Sequence, residues 1–329
     1  MKKILLASLL LCGGYAQAQF APQVPLEGND AIFREDDRIV EWATGATFER
    51  GLLDIADETS GYPTYGTETS ALAYPDGDIL SLGDGGHAII TFEHSIKNGT
   101  GPDFAIFENG FSDPLDESMA YLEFAFVAVS SDGINFVQFP ATCNIPDTAQ
   151  IDNFTYSNAS LVNNLAGKYV ARYGTPFDLE ELKDIDGLDV NNITHIKITD
   201  VIGSIDPLTG SKDKDGNIIN DPYPTVYPSG GFDLDAVGVL NSNKPLSIHT
   251  LADKINLNVY PNPSTDVVNV VFTGTKKTSY QLMDITGKTL MGGEIHSGSQ
   301  INIGYLSAGM YLLEIMQGNE KAIIKIAKK

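Results

Sequence analysis

The sequence predicts an all-β protein: a jelly-roll-like β-sandwich body followed by a small immunoglobulin-like β-sandwich. Three observations lead there. Apolar and polar residues alternate with period two in short runs, as half-buried strands require. Gly and Pro, 32 and 16 among 329 residues, punctuate most joints between those runs. Helical character is confined to one short stretch, DLEELKDI at 178–185.

The body's strand-like runs are HAIITFEH (87–94), DFAIFEN (103–109), LEFAFVAVSSDGINFVQFP (122–140), HIKITDVI (195–202) and FDLDAVGVL (232–240). In the third, Ser131-Asp132-Gly133 separates two alternating segments and reads as a hairpin turn. Trp42, the one tryptophan, alternates with Val40 and reads as core. In GGFDLDAVGVLN (230–241), Phe232, Leu234 and Ala236 point to one face, Asp233 and Asp235 to the other. Like charges side by side repel, and an unpaired buried carboxylate costs several kcal/mol. That face is therefore expected to be wet or to meet a cation.

The two ends read as addresses. Lys2 and Lys3, an apolar run from Ile4 to Cys12, and Ala16-Gln17-Ala18 form a signal-peptide pattern over 1–18, with the mature chain starting near Gln19. The run is too short to span a bilayer as a helix. LLLCGG around Cys12 fits a lipoprotein box poorly. Without Cys12, Cys143 stands alone and no intramolecular disulfide forms.

Residues 256–329 are short alternating strands separated by turn residues. They contain Tyr260-Pro261-Asn262-Pro263, Thr286-Gly287-Lys288, Leu306-Ser-Ala-Gly309-Met-Tyr311-Leu312 and a basic end at Lys325, Lys328 and Lys329. Together these closely resemble the type A C-terminal sorting domain of type IX secretion. The resemblance implies a Gram-negative bacterium of the Bacteroidota and delivery to the cell surface or medium. It implies two partners, an outer-membrane translocon and a sortase-like peptidase that removes the domain. The mature form is expected to lack a transmembrane segment. The expected division is 19–241 body, 242–255 linker and 256–329 sorting domain.

The chain carries a formal charge of −22. Residues 1–18 contribute two lysines, and residues 256–329 contribute seven lysines against five acids, so the body is more acidic than the whole. Nucleic acid is thereby excluded as a partner, and anionic membrane is a poor one. Calcium, a hard cation taking six to eight oxygens, fits better. Asp103, Glu108 and Asn109 in DFAIFENG, with Asp233 and Asp235, are the expected ligands, or else a solvated face. SKDKDGNIIND (211–221) offers Asp213, Asp215, Asn217 and Asp221 in part of an EF-hand pattern, but Pro222 stands where the bidentate Glu belongs. A polar hairpin loop is the alternative there.

Enzyme motifs are absent. His87, His94 and His195 show no zinc spacing, and there is no nucleophile elbow or P-loop. Glu108 and Glu123 are the best-placed carboxylate pair for glycoside hydrolysis. Tyr62 and Tyr65 in GYPTYG, and Tyr223 and Tyr227 in DPYPTVYP, lie in Pro-rich loops, where exposed rings stack on sugars or pack over the sandwich ends. Asp147-Thr148-Ala149 fits the short O-glycosylation motif of these bacteria, on Thr148.

The body resembles a group of poorly characterised bacterial cell-surface proteins, through SLGDGGHAIITF (81–92), NGTGPDFAIFENGF (98–111), VSSDGINFVQFP (129–140) and GGFDLDAVGV (230–239). The resemblance implies surface placement and a sandwich, and no active site. Some members neighbour outer-membrane uptake systems, cobalamin uptake among them, which implies a capture role. The expected function is therefore a calcium-stabilised, exported binding protein for a glycan, a nutrient or a surface partner. The alternatives are a secreted polysaccharide hydrolase and a surface capture protein for an uptake system.

Overall fold

The computed structural model describes residues 20–244, 251–274, 276–318 and 320–329. The signal-peptide reading falls on residues outside these. The chain divides into two units, 1–244 and 245–329.

The first unit is built on two antiparallel sheets. One orders its strands Val137–Gln138, Ala125–Ser130, Ile193–Asp200, His87–Ile96 and Gly45–Glu49. Its alternation is clear: Ile193, Ile196 and Ile198 are buried, whereas the residues between are partly wet. The hairpin around Ser131-Asp132-Gly133 forms as expected, because the Asp132 carboxylate accepts from the Ile134 and Asn135 amides at 2.8 Å each. The other sheet orders Ile32–Phe33, Tyr173–Phe177, Phe104–Glu108, Asp233–Val239 and Glu41–Trp42, with Leu80–Ser81 also pairing to Asp233–Val239. One core joins the sheets: Ile90, Val127 and Ile198 meet Phe104, Ile106, Leu234 and Val237. This is an all-β sandwich. The short helical stretch is a 3-10 turn, Leu179–Leu182, whose first free amide is capped by Asp178.

The second sheet is covered on its far side too. Ile32, Ala105, Phe107, Ala236 and Leu240 form a separate apolar cluster there, with Trp42 against it. Trp42 thus seals the outer face, its ring centroid 5.5 Å from that of Phe107, rather than filling the main core. Phe104–Glu108 and Asp233–Val239 are consequently buried along their whole length. Two corrections to the sequence reading follow. First, Asp233 and Asp235 do not lie on a wet face. Second, the alternation of Phe232, Leu234 and Ala236 breaks. Leu234 pairs with Glu108 and Ala236 with Phe107, so Asp235 is an extra residue. This β-bulge switches the strand's facing, leaving Phe232, Leu234, Val237 and Val239 in the main core and Ala236 outside it.

A third cluster, with Leu122, Phe124, Val162, Val201 and Ile219 at its centre, packs the loops that follow these strands. It fixes segments 122–124 and 219–221 beside the ends of Phe104–Glu108 and Ile193–Asp200. Among the described residues no helix is long and apolar enough to cross a membrane.

The second unit pairs a three-stranded sheet (Asn258–Tyr260, Val267–Val271, Ser299–Asn302) with a four-stranded one (Thr289–Ile295, Thr278–Asp284, Gly309–Gln317, Glu320–Lys328). Val268, Val270 and Ile301 share its core with Leu282, Leu313, Ile315 and Ile326. Its motif residues hold the fold's corners. The Asn262 side chain donates to the Lys325 carbonyl at 2.7 Å and accepts from the Ala327 amide at 2.9 Å. Gly287, at φ +86°, closes a turn whose amides converge on Asp284. The Tyr311 hydroxyl donates to the Ser307 carbonyl at 2.8 Å. The segment 242–255 is shared out: Ser242 bridges to Ile96 in the first unit, whereas Leu251 and Ile255 enter the core of the second.

Candidate functional site

Five carboxylates from five segments gather at one end of the sandwich. Glu108 closes its strand, Asp200 closes Ile193–Asp200, and Asp233 opens Asp233–Val239. Glu123 and Asp221 come from the segments fixed by the loop cluster. All five are buried. Each is tied locally. Asp200 accepts from the Phe232 amide at 2.6 Å and the Gly85 amide at 3.0 Å, joining three segments. Asp233 accepts from Ser81 Oγ at 2.5 Å and Asn109 Nδ2 at 3.1 Å. Glu123 accepts from the Tyr121 hydroxyl at 3.2 Å. Glu108 Oε2 accepts from the Gly110 amide at 2.7 Å, and Asp221 Oδ2 from the Phe124 amide at 3.1 Å. Their second oxygens, Glu108 Oε1 and Asp221 Oδ1, are buried without any hydrogen-bond partner.

Two glycines make this packing possible. A Cβ on Gly110 would lie 2.8 Å from the Tyr121 carbonyl and 3.0 Å from Glu108 Oε2. Gly167, at φ +82°, has the Glu123 carbonyl 1.8 Å from where a Cβ would stand. Only glycine adopts that backbone at no steric cost and leaves room for Glu123.

The electrostatics are one-sided. Burial, then the charge of Asp233, holds the Glu108 carboxyl well above the usual carboxylate range. Burial, then Asp233, Glu108, Asp221 and Asp200, does the same for Glu123. Asp200 and Asp221 are raised well above it by burial first and other acids after, among them Asp84, a sixth buried carboxyl at the edge of the group that burial pushes up to about 6. Asp233 is pushed up to about 7 by burial. Among the described residues none of the five makes an ion pair. Lys168, the one buried Lys or Arg among the described residues, feels Asp30 and not this group.

A cavity of about 290 Å³ opens onto the cluster. Glu123 and Asp233 are on its wall with Asn109, Asn153, Thr225 and Ser229. Phe111, Tyr121, Phe154 and Tyr227 surround them. Phe111 is stacked on Tyr121, centroids 5.0 Å apart. Phe154 is 84% exposed, Phe111 53% and Tyr227 49%.

Of the expected ligands, Glu108, Asn109 and Asp233 come together. Asp103 does not: five residues along an extended strand set it about 16 Å from Glu108. There it accepts from the Gly99 and Leu179 amides at 2.8 Å each and from Asn241. The bulge turns Asp235 toward the Gly77 amide, 3.2 Å away, and burial pushes it up to about 6. In the loop 211–221, Asp213 accepts from the Asp215 and Asn217 amides at 2.9 Å, and Lys212 bridges to Ile218. That is the polar hairpin, with Asp215 exposed. Asp221 leaves the hairpin and enters the acidic cluster. Glu123, paired with Glu108 on the sequence, is in the cluster as well. Of the four loop tyrosines, Tyr227 lines the cavity, and Tyr223 donates to Asp54 at 2.5 Å. Tyr62 and Tyr65 are exposed away from the cavity wall. Thr148 is exposed in a bend. Asp200, Phe111, Tyr121 and Phe154 were not anticipated.

A family model described as the secretion system C-terminal sorting domain matches residues 258–329. The chain therefore carries a type IX sorting domain and is a secreted or cell-surface protein. A comparison with curated proteins found no match. Among solved structures, a β-glucuronidase from Ruminococcus gnavus in complex with uronic isofagomine aligns at 12% identity and a TM-score of 0.21, over 87% of this chain and 44% of that one. Its apo form aligns at 11% identity and 0.20, over 88% and 44%. The chain spans less than half the length of these enzymes, and likeness at this level transfers neither fold nor activity.

Proposed function

We propose that this exported protein is a surface binder whose body takes a glycan in the aromatic-lined cavity. One observation carries the reading: Phe111, Phe154 and Tyr227, each about half exposed or more, stand around a floor of polar groups. Exposed rings grouped at a polar hollow suit a sugar, whose C–H faces stack on aromatics while its hydroxyls bond to amides and carboxyls. Asn109, Asn153, Thr225 and Ser229 supply neutral partners, and Glu123 and Asp233 supply acceptors. The test is glycan-array binding of the full chain and of Phe154→Ala and Tyr227→Ala. A stacked ring is worth about 0.5–1.5 kcal/mol, so each variant is expected to weaken binding by roughly two- to tenfold. Their exposure predicts unchanged melting. Binding unaffected by both would exclude the cavity.

A second reading is hydrolysis of a glycosidic bond. It is favoured by Glu123 and Asp233, two carboxyls on one cavity wall, with Glu123 raised well above the usual range. A protonated Glu123 would serve as general acid and Asp233 as its partner. Glu123→Gln separates the readings: a hydrolase loses turnover and keeps its sugar, whereas a binder shows no turnover before or after.

A further inference from the structure

The five carboxylates present a problem that the glycan reading leaves open. Desolvating one carboxylate without a partner costs several kcal/mol, and here several meet with no Lys, Arg or His paired to them among the described residues. Hydrogen bonds answer part of this. Asp200 has both oxygens on backbone amides. Glu108 and Asp221 do not: these residues are 1% and 3% exposed, and each keeps one oxygen with no donor. Buried acceptors are normally satisfied by protein or water. Two unsatisfied carboxylate oxygens in one acidic cluster call for a positive ligand.

We propose that Glu108, Glu123, Asp221 and Asp233 hold a divalent cation of the calcium class beneath the cavity. The donor set is all oxygen, which selects hard ions over zinc or copper. Four carboxylates supply at least four oxygens, and bidentate contacts, water or a ligand hydroxyl bring the shell to the six to eight that calcium takes. Glu123 and Asp233 also face the cavity, so the ion lies where solvent or a ligand hydroxyl completes its shell. Among the described residues, no three of these acids bring oxygens within 4.8 Å of one another. An ion bound there would have to draw them inward against their mutual repulsion. The trio that does meet that spacing, Glu41, Glu93 and His94, is a weaker candidate. Glu41 already accepts from the His94 amide and lies 3.2 Å from both His94 Nδ1 and Ser242 Oγ. The protein's destination supports the choice of ion, because extracellular modules bind calcium with dissociation constants of about 0.1–1 mM. The site stands whether or not the cavity takes a glycan.

The test uses the full chain and the metal alone. Terbium, a luminescent stand-in for calcium, is titrated and then displaced with calcium chloride, and melting is followed in chelator and in excess calcium. The variants are Glu108→Gln and Asp221→Asn, nearly isosteric, with Asp213→Asn in the hairpin as control. Wild type is expected to bind terbium, release it to calcium, and melt several degrees higher at about a hundredfold excess of calcium over its dissociation constant. Both cluster variants are expected to bind at least about tenfold more weakly. In chelator they should melt no lower than wild type, since each removes a repelling charge, and that establishes that they fold. Asp213→Asn should bind as wild type does. No calcium response in wild type overturns the proposal, as do cluster variants that bind normally. Binding lost only in Asp213→Asn also overturns it, by moving the ion to the hairpin.

Discussion

Lys168 permits the most quantitative test of how this acidic body handles buried charge. Among the described residues it is the one buried Lys or Arg, at 3% exposure. Burial pushes its ammonium down from 10.5 to about 8, and the nearby Asp30 charge offsets only part of that. The Nζ lies 5.5 Å from the Tyr169 ring centroid, and the Tyr169 hydroxyl donates to Asp30. Between pH 8 and 10.5 the unfolded chain holds this proton more tightly than the folded one, so stability rises with pH through that window. Below pH 8 both states are charged, and the folded state carries a constant penalty. At about 1.4 kcal/mol per pH unit the penalty is roughly 3 kcal/mol. Lys168→Met keeps the aliphatic stem and removes the charge. We expect it to stabilise the body by roughly 1–3 kcal/mol at pH 7, the lower figure allowing for the lost attraction to Asp30 and to the Tyr169 ring. The gain should shrink toward zero by pH 10.5. The assay is urea unfolding of both proteins at pH 7, 8.5 and 10, at one calcium concentration. The difference between variant and wild type cancels groups titrating in both, such as Tyr169. A variant less stable at pH 7, or a gain independent of pH, would refute the reasoning.

Three further outcomes are expected. Gly167→Ala should cost more than about 2 kcal/mol, from its left-handed backbone and the Glu123 carbonyl 1.8 Å from the new Cβ; because Glu123 must move, terbium affinity should fall with it, and a urea midpoint unchanged from wild type would contradict this. Asn262→Ala should destabilise the second unit by about 1–3 kcal/mol, as it removes the bonds to Lys325 and Ala327; less protein at the cell surface on immunoblots is the readout, and normal display would count against a folded sorting domain being required. Mass spectrometry of the surface or medium form should find a C-terminus between Lys244 and Leu251, the ends of the two folded units; an intact Lys329 would speak against removal of the domain.

The strands were legible where one face of a sheet is wet. Ile193–Asp200 alternates because solvent reaches half of it, and the pattern in the sequence is the pattern of burial. Phe104–Glu108 and Asp233–Val239 are covered on both sides, so their apolar residues no longer report a facing. The bulge at Asp235 left no trace in composition, and it redirects every residue after it. Reading Asp233 and Asp235 as an equivalent pair failed for that reason. Asp103 and Glu108 look alike in DFAIFEN, yet one precedes the strand Phe104–Glu108 and the other ends it, and only Glu108 reaches the cluster.

The acids of the site were legible in proportion to their contrast with their surroundings. Glu108 and Asp233 stand out because one ends a run of four apolar residues and the other sits between Phe232 and Leu234; a carboxylate at such a place must be explained. Asp200 and Asp221 end a strand and leave a hairpin, positions where a body this acidic places many solvated carboxylates; nothing local distinguishes Asp200, and Asp221 is marked only by an incomplete EF-hand pattern that belongs to the hairpin. The same holds for Phe111 and Phe154, which as sequence resemble core residues and are exposed because the short strand Phe111–Ser112 and the turn carrying Phe154 face outward. What separates the five from other acids is the closure of the loop cluster around Leu122, Phe124 and Ile219. That closure places the Phe124 amide on one Asp221 oxygen and leaves the other without a donor. The calcium expectation began from charge repulsion along one strand. The folded chain relocates that repulsion to the meeting point of five segments, where it is larger because water is excluded. A cation bound there would therefore join strand ends and loops that are far apart in sequence, so its removal should loosen the cavity wall as well as the acids that hold it.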